Sequence, residues 1–253
     1  MPRDRLVVPY GSWKSPITAD LYASSFLGVN EPMLDGEQVY WQESRPKEGG
    51  RYVLMRQDPT GEKVETTPRD FNVRTTVHEY GGGDYLVHGN TIYFSNFKDQ
   101  RLYRQASGSQ PVAVTPPNVD LRYADGVVDV RRDRLIIVRE DHTAKAGQAV
   151  NSIVAIHLVK GGPGDILVSG NDFYSNPRLS PDGSRLAWIT WNHPNMPWDA
   201  SELWVGNLDP TASSRTRSLL PEEPMYRSFN LSGRQTECST SRLTPLAGGT
   251  STG

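Results

Sequence analysis

The feature that most constrains this chain is a turn set between two extended apolar runs. In Ser180-Pro181-Asp182-Gly183 the proline presets φ for the first corner, the aspartate bonds nearby backbone, and the glycine supplies a positive φ. Leu179 ends one run and Leu186-Ala187-Trp188-Ile189 begins the next, which predicts a β-hairpin. After a proline-rich loop, Leu203-Trp204-Val205 supplies a third strand. The stretch from Pro177 to Leu208 therefore reads as one blade of a β-propeller.

The same pattern recurs upstream. A first repeat holds Val39-Tyr40-Trp41, Tyr52-Val53-Leu54 after a Gly49-Gly50 turn, and Val64-Glu65-Thr66. A second holds Tyr85-Leu86-Val87, Thr91-Ile92-Tyr93-Phe94, Leu102-Tyr103-Arg104 and Val112-Ala113-Val114. A third holds Gly126-Val127-Val128, Leu135-Ile136-Ile137-Val138, Ile153-Val154-Ala155-Ile156 and Ile166-Leu167-Val168. Val39, Ile92, Leu135 and Leu186 fall at equivalent second-strand positions, in steps of 53, 43 and 51 residues. Four strands at roughly 40–50 residues per repeat match propeller blades, whereas a sandwich has no reason to keep this period. The expected fold is all-β: an incomplete β-propeller of about four four-stranded blades, with an open edge. Residues 1–20 read as an extended lead-in with a short helix after Thr18, residues 21–210 as the partial propeller, and residues 211–253 as a disordered tail.

Composition narrows the class. Gly and Pro, 23 and 19 residues, punctuate short β-rich runs, as an all-β chain requires. With 27 basic and 29 acidic residues, no strong field for nucleic acid or an acidic membrane is expected. No apolar run has signal-peptide or membrane-spanning length. The single cysteine, Cys238, excludes an internal disulfide framework and suits a reducing cytoplasm.

The tail has a second reading besides disorder. Permitted codons for residues 220–238, re-read one base upstream, yield a Trp-Ser-Pro-Asp-Gly turn whose glycine falls at Thr236. That position lies 53 residues after Gly183, one blade period on, so a frame slip between Thr211 and Leu220 is expected.

Two segments carry a family resemblance. Arg74-Thr75-Thr76-Val77-His78-Glu79-Tyr80-Gly81-Gly82-Gly83 and Trp191-Asn192-His193-Pro194-Asn195-Met196-Pro197-Trp198-Asp199 resemble segments of the prolyl oligopeptidase family of serine peptidases. The likeness is closer to its acylaminoacyl-peptidase and dipeptidyl-peptidase-like bacterial members, and Tyr123-Ala124-Asp125-Gly126 and Arg139-Glu140-Asp141-His142 add to it. It covers roughly residues 6–210. The resemblance implies an N-terminal propeller that gates short peptides to an α/β-hydrolase domain carrying Ser, Asp and His. That domain is expected to be missing from this chain, and no catalytic residue is carried over. Propeller loops facing the hydrolase would help bind the peptide, which makes Arg74, His78, Glu79, Tyr80, Trp191, Asn192, His193 and Trp198 candidate substrate contacts.

Each candidate has a structural alternative. His78 and Glu79 precede three glycines that permit close backbone approach, as a pocket-lining loop needs, yet both could simply bond backbone groups between blades. Trp191, His193 and Trp198 suit peptide binding, or equally packing between blades, and Asp199 suits bracing the turn before Leu203. The five histidines lack metal-ligand spacing, so neither metal nor cofactor is expected. Gly249-Thr250-Ser251-Thr252-Gly253 matches the G-x-S-x-G pattern by letters, but no strand precedes it and no Asp or His follows. Asn230-Leu231-Ser232 is a sequon by letters only. Two functions follow: a substrate-gating propeller of a cytoplasmic serine peptidase acting on short peptides, inactive alone, or a free-standing propeller that scaffolds other proteins.

Overall fold

The computed structural model describes residues 8–12, 15–21, 27–144, 147–208, 219–221 and 226–227. The chain divides into two compact units, Met1–Asp125 and Gly126–Gly253.

The first unit holds two antiparallel sheets. β1 (Val29–Asp35), β2 (Gln38–Arg45), β3 (Arg51–Gln57) and β4 (Lys63–Glu65) form one, paired in chain order. β5 (Tyr85–His88), β6 (Thr91–Ser95), β7 (Leu102–Ala106) and β8 (Val112–Ala113) form the other, again in chain order. The β5–β6 link is a two-residue turn, Gly89-Asn90, with both φ values near +60° (56° and 60°). This is the twist that suits a tight hairpin. Alternation sends Tyr40, Leu54, Ile92 and Phe94 inward, where they form one buried cluster with Val73 and Tyr85. Phe71 closes the cluster edge-on to Phe94 at 5.7 Å and to Tyr103 at 5.0 Å.

The second unit follows the same plan. β9 (Leu121–Asp129), which begins just before the division, pairs with β10 (Arg134–Asp141), β11 (Val150–His157) and β12 (Gly161–Val168) in chain order. Leu135–Val138 and Ile153–Ile156 are buried at every position, as continuous apolar runs predict for strands covered on both faces. β13 (Phe173–Leu179), β14 (Arg185–Trp191) and β15 (Glu202–Leu208) continue in order, and β16 (Leu219–Pro221) and β17 (Tyr226–Arg227) both pair with β15.

The sheets are four propeller blades, two in each unit, and among the described residues there is almost no helix. Val39, Ile92, Leu135 and Leu186 lie in β2, β6, β10 and β14, the second strand of each blade, as the spacing predicts. The turn at Pro181 closes β13 onto β14: Gly183 N–H donates to the Ser180 carbonyl at 2.8 Å, and Ser184 N–H to Asp182 Oδ1 at 3.1 Å. The hydroxyls of Ser180 and Ser184 also reach the Asp182 carboxylate and hold its pKa well below the usual value.

β1 has no counterpart in the sequence reading. Of the expected tail, 219–221 and 226–227 pair with β15. The rest, including Thr236, Cys238, Asn230 and Ser251, lies outside the described residues, as do residues 1–7 and 13–14 of the lead-in. Among the described residues no helix is long and apolar enough to cross a membrane.

Candidate functional site

The segment before the three glycines stitches the two sheets of the first unit together. Val73 N–H donates to the Tyr52 carbonyl on β3 at 2.9 Å, and Arg74 N–H to the Ser95 carbonyl on β6 at 3.0 Å. Asn72 adds a side-chain link, its Oδ1 accepting Tyr52 N–H at 2.9 Å. Arg74 is therefore fixed at its backbone, and its guanidinium lies over two rings, 5.5 Å from Tyr52 and 5.2 Å from Phe97.

From Thr75 the chain folds back on itself. Glu79 N–H donates to the Thr76 carbonyl and Gly81 N–H to the Val77 carbonyl, both at 3.0 Å. His78 and Glu79 adopt left-handed φ values of 57° and 67°. Gly81 (φ +79°) passes so near Thr75 that a Cβ would sit 2.8 Å from its carbonyl oxygen. Gly83 (φ +65°) lies against Asp125, where a Cβ would fall within 2.7 Å of three atoms, and Asp125 N–H donates to the Gly83 carbonyl at 2.8 Å. These glycines serve close backbone approach and positive φ together.

Two carboxylates hold the fold-back. Asp84 Oδ1 accepts Thr75 N–H at 2.6 Å and Oδ2 accepts Gln42 Nε2 at 2.8 Å, while Gln42 Nε2 also donates to the Val73 carbonyl at 2.7 Å. Glu31, on β1, accepts Gly83 N–H at 2.7 Å and Asp84 N–H at 3.2 Å. Burial raises the pKa of both groups. Asp84 and Asp125 add to the rise at Glu31, against the two backbone bonds. At Asp84 the bonds from Thr75 and Gln42 and the charge of Arg74 work against it.

Above this network lies an open cleft of about 550 Å³, lined among others by Glu31, Gln42, Tyr52, Arg74, Tyr80 and Asp84. The carboxylates and Gln42 spend their polar atoms on the loop. The Arg74 guanidinium has no hydrogen-bond or ion-pair partner among the described residues, so its fork of N–H donors is available to an acceptor entering the cleft. Tyr80, 57% exposed, stands beside it.

Of the first group of expected contacts, Arg74 and Tyr80 line the cleft, and His78 and Glu79 do not. His78 is half-buried with its ring 5.7 Å from Tyr80, and Glu79 pairs with Arg122 at 2.9 Å, so both brace the loop. Arg122 adds a bond to the Thr76 carbonyl at 3.1 Å. Sequence reasoning did not reach Glu31, Gln42, Tyr52 or Asp84. Only Asp84, directly after the glycines, stood near a signal.

The second group lies in the second unit, at the end of β14 and in the loop leading to β15. Trp191 is 4% exposed and stacks on its cross-strand partner Phe173 at 5.3 Å. His193 meets Phe173 edge-on at 4.9 Å, and the His193–Pro194 peptide is cis. Asn192 Oδ1 accepts Asp172 N–H at 2.7 Å, and Asp172 Oδ2 accepts His193 N–H at 2.9 Å. Asp199 Oδ2 accepts Met196 N–H at 3.0 Å, the bracing expected of it. Trp191, Asn192 and His193 thus shape the loop, whereas Trp198 is 60% exposed.

No protein-family model and no curated protein sequence matches the chain. Among solved structures it is similar to a puromycin-hydrolysing peptidase of Mycobacterium tuberculosis, with 35% identity and a TM-score of 0.75 over 89% of this chain. A puromycin hydrolase mutant complexed with PGG gives 30% identity and a TM-score of 0.75 over 87% of this chain. The chain spans 36% of the length of each. A TolB-like protein from Agrobacterium tumefaciens, at 13% identity and a TM-score of 0.53, shares the fold alone. With its blades matched along most of their length at this identity, the chain belongs to the prolyl oligopeptidase family, as a β-propeller of that family's peptidases.

Proposed function

We propose that the chain is the substrate-gating propeller of a cytoplasmic serine peptidase that acts on short peptides. In this reading, acyl transfer from the peptide to a serine falls to an α/β-hydrolase domain of that peptidase. The observation that carries the reading is Arg74, a guanidinium with unspent donors at a cleft beside Tyr52 and Tyr80, in a chain 35% identical to a puromycin-hydrolysing peptidase. Carbonyl oxygens of a short peptide suit these donors, and its side chains suit the rings. His78, Glu79, Trp191, Asn192 and His193 hold the two loops in shape, and Trp198 offers a second exposed ring.

The test is a titration of the chain with the zwitterionic tripeptide Pro-Gly-Gly, followed by amide chemical shifts. Saturable shifts at Arg74, Tyr80 and Gly82 in the millimolar range, about −4 kcal/mol, are expected. Shifts confined to Trp198 and its neighbours, or none at all, contradict the reading. The exposed Trp198 ring favours a second reading, a propeller that scaffolds protein partners, and shifts there alone would support it.

A further inference from the structure

Glu31 lies on a strained part of β1. Its φ is +49°, a region that costs a non-glycine residue energy, and the β1–β2 register shifts between Asn30 and Met33. The backbone is held there, since Tyr85 Oη donates to the Glu31 carbonyl at 2.5 Å. Its carboxylate is thereby aimed at two consecutive amides, Gly83 and Asp84, more than fifty residues away along the chain. The Asp84 carboxylate in turn holds Thr75, the residue after Arg74. The charges of Asp84 and Asp125 bear on Glu31, and the charge of Arg74 bears on Asp84.

We propose that Glu31 is a positioning residue for the cleft: with Asp84 it forms a proton-operated latch that holds the 75–84 loop, and with it Arg74 and Tyr80, in place. With one proton on the pair, the cluster carries one carboxylate charge fewer, and the loop stays closed over it. When that proton leaves for solvent, the added negative charge is both poorly hydrated and repelled by its neighbours. Opening the loop rehydrates it. Glu31 takes the proton, because its burial and the charges of Asp84 and Asp125 outweigh its two amide donors. Asp84 keeps its charge, because Thr75 and Gln42 donate to it and Arg74 stands nearby. Protonated Glu31 retains the 2.7 Å bond from Gly83 through Oε1 while Oε2, the acceptor of the longer 3.2 Å contact, carries the hydrogen. Tyr85, whose phenol is pushed well up by burial and further by the Glu31 charge, stays neutral throughout.

The latch rests on the same loop as the peptide-contact reading, but its test uses no ligand, so either can fail alone. Amide hydrogen exchange of Gly83 and Asp84 in the full chain is followed across pH and corrected for the intrinsic exchange rate. Protection is expected to fall by about tenfold as pH rises from the ordinary carboxylate range through neutrality, the size of one lost hydrogen bond near such a site. Glu31→Gln, neutral at every pH, is expected to keep Gly83 protected and to flatten the profile. Carboxyl carbon shifts of unmodified Glu31 give a reading that needs no variant, with a midpoint displaced upward. A flat profile in the unmodified chain, an unchanged profile in Glu31→Gln, or an ordinary Glu31 midpoint each overturns the proposal.

Discussion

Arg134 Nε donates to Asp129 Oδ2 at 2.9 Å, and neither side chain exposes more than 1% of its surface. Arg132 reaches the same oxygen at 3.1 Å and continues to the Gly183 carbonyl at 3.0 Å, tying the β9–β10 corner to the turn between β13 and β14. Burial lowers the Arg134 pKa, and Asp129 opposes that effect. Asp129→Ala would strand a guanidinium with no counter-charge. Its cost is expected to be about 3–5 kcal/mol by urea unfolding. The Arg122–Glu79 pair, with Glu79 77% exposed, is expected to contribute less than about 1 kcal/mol. Equal losses for Asp129→Ala and Glu79→Ala would contradict this ranking.

The glycines before Asp84 differ in what surrounds them. Gly83→Ala drives a methyl into Asp125, whereas Gly82→Ala points one into open space at φ +105°. Both substitutions carry backbone strain, on the order of 1 kcal/mol. Gly83→Ala is expected to cost at least about 2 kcal/mol more than Gly82→Ala, because backbone must move to make room. Thermal midpoints of the two variants give the comparison, and equal midpoints would exclude a close-approach role.

How much of this was legible in the sequence depended on distance along the chain. The second strands were legible because Val39, Ile92, Leu135 and Leu186 each sit in a run whose apolar pattern and flanking turns agree locally. β1 was not, because it carries Pro32 and Glu31, bulges after Asn30, and leaves Val29 and Leu34 exposed. Its partner strand supplies the order that its own residues do not specify. The Arg74–Tyr80 segment stood out by resemblance, and the structure separates cleft-lining Arg74 and Tyr80 from loop-bracing His78 and Glu79. Glu31 bore no sequence mark at all, since its role arises only when β1 meets residues 83–84.

The core of the first unit gives a further prediction. Phe94 has 0% exposure and stacks with Tyr103 at 5.8 Å while meeting Phe71 edge-on. Phe94→Ala is expected to cost about 3–5 kcal/mol, and Phe94→Leu substantially less, because volume is largely conserved. Denaturant midpoints that fail to separate the two would argue against a packed cluster at this position.

Stability should also carry the sign of the raised Glu31 pKa. A group whose folded pKa lies above its unfolded value adds stability that is full below the unfolded value and is lost as pH rises through the folded one. The stability difference between the unmodified chain and Glu31→Gln is therefore expected to grow as pH falls from neutral towards the ordinary carboxylate range. Asp182, held low by Ser180 and Ser184, works in the opposite direction at more acid pH. Unfolding free energies of both proteins at a series of pH values measure the difference. One that is constant, or that grows with rising pH, would contradict the assignment.

A crystal of the chain grown with excess Pro-Gly-Gly shows whether the cleft at Arg74 receives a short peptide. Peptide density is expected in the cleft, with a carbonyl oxygen about 2.9 Å from an Arg74 guanidinium nitrogen, and is expected to be lost in Arg74→Met crystals grown identically. Density seated on the Trp198 loop with the cleft empty, or unchanged cleft density in Arg74→Met, would contradict it.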